Sequence, residues 1–158
     1  MDIDQQLQTL IDQAPQDGVT PSIIKNAVNP VLKAFTAKLK YSEYFVYQST
    51  EGNWLLTTLS NRQYPDLEKK VIYAFSRLDD AKQFQGNGAD AQLTAQPMPT
   101  AHILFQLFSL KRLDSIVFME TPGNLNQGKE IHREELQGAI QKQLSQYQNQ
   151  VASNKHFA

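Results

Sequence analysis

The chain has 158 residues, 41% of them hydrophobic and 20% charged, which suits one domain with a core that needs no covalent staple. It has no cysteine, which excludes disulfide frameworks, thiol nucleophiles, zinc ribbons and iron–sulfur sites and suits a reducing compartment. Fifteen Lys and Arg against 16 Asp and Glu leave a net charge of -1, which argues against a general attraction to nucleic acid or anionic membrane. The opening Met1-Asp2-Ile3-Asp4-Gln5 lacks the basic and apolar regions of a secretory signal. No apolar run reaches the roughly 18–20 residues of a spanning helix. A soluble, cytoplasmic protein without membrane insertion is the expectation.

Ile3, Leu7, Leu10 and Ile11 share one helical face up to Pro15 and Gly18. Thr20-Pro21-Ser22 predicts a second start, with Thr20 as cap and Pro21 in the first turn. The stripe Ile24, Val28, Val31, Leu32, Phe35 and Leu39 follows, and Pro30 inside it should kink or break the helix. From Tyr44 the period changes. Tyr44-Phe45-Val46-Tyr47 and Trp54-Leu55-Leu56-Thr57-Thr58 read as a hairpin with a long loop.

Val71-Ile72-Tyr73-Ala74-Phe75, apolar on both faces, reads as an interior strand. Ser76 and Asp79 resemble a capping box opening a helix through Phe84, which Gly86-Asn87-Gly88 ends. A weak strand is expected at Ala91-Gln92-Leu93-Thr94-Ala95, bounded by Pro97 and Pro99. Residues 101–110 are apolar nearly all round and predict a packed helix, followed by a central strand at Ser115-Ile116-Val117-Phe118-Met119. Leu136, Ile140, Leu144, Tyr147 and Val151 form a last stripe behind Glu134 and Glu135, with glutamines on the solvated face and fraying expected from Ser153. The fold class this implies is α/β (α+β): a single domain whose mixed sheet of about 4–6 strands packs with helices, two of them preceding the sheet.

Gly123-Asn124-Leu125-Asn126-Gln127-Gly128-Lys129-Glu130 follows a strand and reads as GxxxxGK, a phosphate loop with Glu130 in place of the magnesium-binding Ser or Thr. A negative charge there opposes phosphate, and the helical stripe starts late, so a Gly/Asn loop is the plainer reading. Of His102, His132 and His156, only His132 has nearby carboxylates, Glu130 and Glu135, too few to hold a metal. Ser76 lacks the glycines of a nucleophile elbow. Asp79 and Asp80 are adjacent on a helix and do not face each other. Lys33, Lys38 and Lys40, Lys69-Lys70 and Lys111-Arg112 are offset by acids and carry no nucleic-acid reader motif. No catalytic constellation, cofactor or metal is expected.

The order of signals over residues 43–144 resembles the SseB N-terminal domain family. It is carried by the hairpin before Val71-Ile72-Tyr73-Ala74-Phe75-Ser76, by the apolar helix leading to Leu113-Asp114-Ser115-Ile116-Val117-Phe118, and by Pro122-Gly123. Glu130-Ile131 and Arg133-Glu134-Glu135-Leu136 are similar to that family's final short strand and helix entry. Thr121 stands where the family tends to have Asn, and residues 1–40 fall outside the resemblance. It implies an α/β fold with a mixed sheet, no established catalytic activity, and regulation or secretion-related roles in some relatives. The expectation is a non-enzymatic protein-binding or adaptor domain. Contact would run through loop 121–130, with Thr121, Asn124, Asn126 and Lys129 as candidate binding residues, or through an exposed edge of the hairpin spanning residues 44–59. The alternative is a small-molecule sensor with an apolar pocket between helix 101–110 and the sheet, lined by Phe105 or Phe108. Packing of the N-terminal helices between two copies is also compatible with the pattern, as a homodimer.

Overall fold

The computed structural model describes residues 2–60, 63–64, 67–85 and 93–156. The glycines expected to end the helix after Phe84, and Ala91 and Gln92 of the weak strand, lie outside them. The first helix, α1 (Ile3–Asp12), buries Leu7 and Leu10. It is opened by a capping box in which the Asp2 carboxylate accepts the Gln5 N–H and the Gln5 side chain accepts the Asp2 N–H.

Thr20 does not cap the next helix. The Asp17 carboxylate accepts from the backbone N–H of Val19 and Thr20 and from the Thr20 hydroxyl, so Thr20 becomes the first residue of α2 (Thr20–Ile23). A π-helical turn (Ile24–Val28) then leads into α3 (Asn29–Thr36). The break expected at Pro30 is absorbed here. The Asn29 N–H reaches back five residues to the Ile24 carbonyl, and the wider turn accommodates the ring just downstream.

The strands are β1 (Glu43–Ser49), β2 (Thr57–Ser60), β3 (Glu68–Phe75), β4 (Leu93–Pro99), β5 (Ser115–Met119) and β6 (Lys129–His132), with α4 (Leu78–Gln85), α5 (Thr100–Ser109) and α6 (Arg133–His156) between and after them. They form one mixed six-stranded sheet in the order β4-β1-β3-β5-β6, with β2 also against β3. β3 and β5 run parallel, Ala74 opposite Phe118, and the other pairs are antiparallel.

Three strand expectations change. The run from Trp54 is not a regular hairpin partner of β1: Trp54 makes an isolated bridge to Gln48, and pairing resumes at β2, which docks on β3 with Thr57 opposite Val71. β1 and β2 thus share one side of β3, and residues 50–56 are an excursion between them. Second, β1 is interior, flanked by β4 and β3, so the expected open edge is not on β1; within residues 44–59 it is β2 that has a single paired neighbour, β3. Third, Pro97 and Pro99 lie within β4, opposite Phe45 and Glu43. β4 is an edge strand, and prolines two apart place their missing donors on its outer side, where no ladder bond is lost.

Successive strand residues point to opposite faces, and the two faces are filled differently. On one, Tyr44, Val46, Ile72, Ala74, Ile116, Phe118 and Ile131 pack against Leu7 and Leu10, Leu32 and Phe35, Ile103, Leu104 and Leu107, and Leu136 and Ile140, drawn from α1, α3, α5 and α6. On the other, Tyr47, Phe75 and Met119 meet Ala81 of α4. The expected cap of α4 is absent. Its first residue is Leu78, and the Ser76 hydroxyl is buried without a hydrogen-bond partner while the Ser76 N–H bonds to the Met119 carbonyl. The last helix runs on to His156, past the fraying point expected at Ser153. No helix among the described residues is long and apolar enough to cross a membrane.

Candidate functional site

The Gly/Asn loop leaves β5 at Glu120 and returns at β6. Gly123 holds a left-handed backbone, φ +79°, which favours glycine. Its N–H lies 3.1 and 3.2 Å from the two oxygens of Asp80, a carboxylate on α4 that is 1% exposed. Arg77 donates to the same carboxylate at 3.0 Å. The Arg77 hydrogen bond holds the Asp80 carboxyl below its usual range, against the opposing effect of burial. Farther along, a Cβ on Gly128 would lie 2.5 Å from Val117 Cγ1 and 3.0 Å from Met119 Sδ, so glycine lets the returning chain lie close to β5. Leu125 packs toward the sheet face that α4 occupies.

The four candidate residues do not converge. Thr121 is exposed, and its carbonyl accepts the Asn124 N–H. The Asn124 side-chain oxygen accepts the Asn126 N–H at 3.0 Å, so Asn124 shapes the loop and Asn126 projects from it. Lys129 leaves on the helix-covered face, where its Nζ donates to the Lys38 carbonyl at 2.6 Å. Near it, Glu120 accepts from the Tyr44 hydroxyl and the Lys40 N–H, both at 3.0 Å; burial and this carboxylate push the Tyr44 hydroxyl pKa up. The phosphate-loop pattern fails on geometry. The chain after Lys129 is a strand rather than a helix, and the Gly123 N–H is already given to the protein's own carboxylate.

The face beneath the loop carries what the motif reading missed. Phe84 of α4, 42% exposed, lies over Tyr73 and Phe75 with ring centroids 4.7 and 5.1 Å apart. Phe45, Tyr73, Val117 and Leu125 are half-buried around it. Leu59 of β2, 42% exposed, sits opposite Lys69 and so points to the same face. At the far end Glu130 accepts from Lys69 and from the buried Ser115 hydroxyl, and His132 Nε2 lies 3.7 Å from it. Burial pushes the Glu130 carboxyl up, but the Lys69 and Ser115 hydrogen bonds outweigh it and hold it below its ordinary value. The sequence signal for this face is the alternation Lys69, Val71, Tyr73, Phe75 on β3 and Ser115, Val117, Met119 on β5.

No group of three or more His, Asp or Glu side chains able to hold a metal ion occurs among the described residues. The expected pocket beside α5 is reached by Met98 of β4 and extends toward the N-terminal helices. Phe105, without Phe108, lines a cavity of about 430 Å³ between α5, the end of α1 and the π-helical turn. Compared with known proteins, the chain matches no family model and no curated sequence.

Proposed function

We propose that the protein is a non-enzymatic protein-binding domain, an adaptor or regulatory module, which contacts its partner through the sheet face carrying α4, with loop 120–128 as the rim. One observation carries this reading. Four helices seal one face of the sheet, whereas among the described residues only the eight-residue α4 lies on the other. That face keeps Tyr73, Val117 and Leu125 half-buried and Phe84 and Leu59 exposed. An apolar patch rimmed by polar groups marks an interaction surface; Tyr73, Phe84, Val117 and Leu125 are the apolar part here, and Lys69, Glu130, His132 and Asn126 are polar groups on the same side. The loop suits this use because the Asp80 and Gly123 contact fixes its shape before binding, which lowers the ordering cost of association. The resemblance of residues 43–144 to the SseB N-terminal domain family is part of this proposal and rests on the order of sequence signals alone, the chain matching no family model; it implies the same class, a family without established activity that includes regulatory relatives. A cytoplasmic setting fits the lack of cysteine.

The test is stoichiometric capture from lysate of the source organism, comparing the wild type, Leu59→Glu with Phe84→Glu, and Val19→Glu on the opposite side of the molecule. Circular dichroism and a thermal transition verify folding of each. The expected result is one protein retained by the wild type and by Val19→Glu and lost from the double variant. Retention by the double variant would contradict the placement.

A further inference from the structure

The cavity between α1, α5 and the π-helical turn has the size and chemistry of a small-molecule site. Protein interiors leave few voids larger than a water molecule, whereas ligand pockets occupy about 300–1,000 Å³; this one measures about 430 Å³. Leu10, Ile24, Met98 and Phe105 form its apolar lining. Gln13, Thr20, His102 and Gln106 supply polar groups, and the lining contains no Asp, Glu, Lys or Arg. An ionised ligand would be desolvated there without a partner, so the lining selects an uncharged one.

His102 fixes the polarity of the contact. Its Nε2 lies 3.0 Å from the Gln6 carbonyl, which can only accept, so that nitrogen carries the proton. In the neutral ring the other nitrogen, Nδ1, is then an acceptor. Gln6 is itself held in place: it is 1% exposed, its side chain donates to the Ser42 carbonyl at 2.8 Å, and its side-chain oxygen accepts the Ala101 N–H at 2.9 Å. The histidine is therefore anchored from behind by a buried bridge between α1 and α5. Ile24 enters the lining from the π-helical turn, a local geometry that recurs at functional sites, although Pro30 is sufficient to explain the turn here.

We infer that this cavity binds a neutral, mainly apolar small molecule bearing a hydrogen-bond donor, with His102 Nδ1 as the acceptor. The site is separate from the proposed protein-binding face and does not depend on it.

The probe is N-phenyl-1-naphthylamine, which is neutral, apolar and has one N–H, titrated by fluorescence into the full chain beside its N-methyl analogue, which has no donor. The expected result is saturable binding of one probe per chain and roughly tenfold weaker binding of the analogue. Binding should be lost in Gln106→Trp and in Gln13→Trp, exposed rim positions where an indole blocks the mouth, each variant keeping the wild-type thermal transition. It should persist in Val19→Trp, which fills the separate groove between α2 and the end of α6. No saturable binding, survival in both rim variants, loss in Val19→Trp, or equal affinity for the analogue would overturn the inference.

Discussion

Asp80 shows how one side chain can define a loop 43 residues farther along the chain. Its carboxylate takes the Gly123 N–H and an Arg77 guanidinium N–H while 1% exposed, so removing it leaves a donor without its acceptor. Asp80→Ala should cost about 1–3 kcal/mol in urea denaturation, and the Gly123 amide should exchange faster with solvent. Gly128→Ala presses a methyl against Val117 and Met119 and should cost about 1–3 kcal/mol through overpacking. Acid behaviour follows from the same carboxylates. Backbone hydrogen bonds from Thr20, followed by its hydroxyl, hold Asp17 at about 2, below its ordinary 3.8, and Asp80 is depressed in the same direction by Arg77. As pH falls the unfolded chain takes up these protons first. The stabilisation is therefore present above the ordinary carboxylate range and is lost as pH drops through the folded values. The stability difference between wild type and Asp17→Asn, followed by thermal unfolding, should shrink as pH falls from about 4 to 2; a difference that stays constant over that range would contradict this.

Among elements, α6 separates packing from reach. Leu136 is fully buried in the main core, while Val151 is half-buried beside α2. Leu136→Ala should cost about 2–5 kcal/mol and Val151→Ala under about 1 kcal/mol by chemical denaturation, because only the first leaves a core cavity. The elements legible in the sequence are those whose burial repeats: Ile3 to Ile11 and Leu136 to Ile140 at helical spacing, the apolar run of α5, and the unbroken apolar runs of β3 and β5. The misread ones were decided by partners distant in sequence or by a competing polar group. Pro97 and Pro99 are tolerated because β4 is an edge, which only the sheet order reveals. Thr20 is drawn into α2 because the Asp17 carboxylate takes its N–H and hydroxyl, and the Asp2 and Gln5 box has the D-x-x-Q spacing of such caps.

At the scale of the whole molecule, the two sheet faces are unequally covered by the described residues. Loop 121–130 was legible as a feature, since Gly123, Gly128 and the polar run around Asn124 and Asn126 mark it. Its tether was not, because Asp80 meets Gly123 only when β3 and β5 lie parallel with α4 over their ends. Nor did local motif reading collect Leu59, Tyr73, Phe84 and Val117, which come from four different elements and are brought to one face by sheet register and by the packing of α4. The most direct measurement places a photo-crosslinking amino acid at position 84, and in a second protein at position 19, in cells of the source organism. A discrete heavier adduct with another protein is expected from position 84 and none from position 19. An adduct confined to position 19, or no adduct from position 84 in folded and abundant protein, would contradict the proposed binding face.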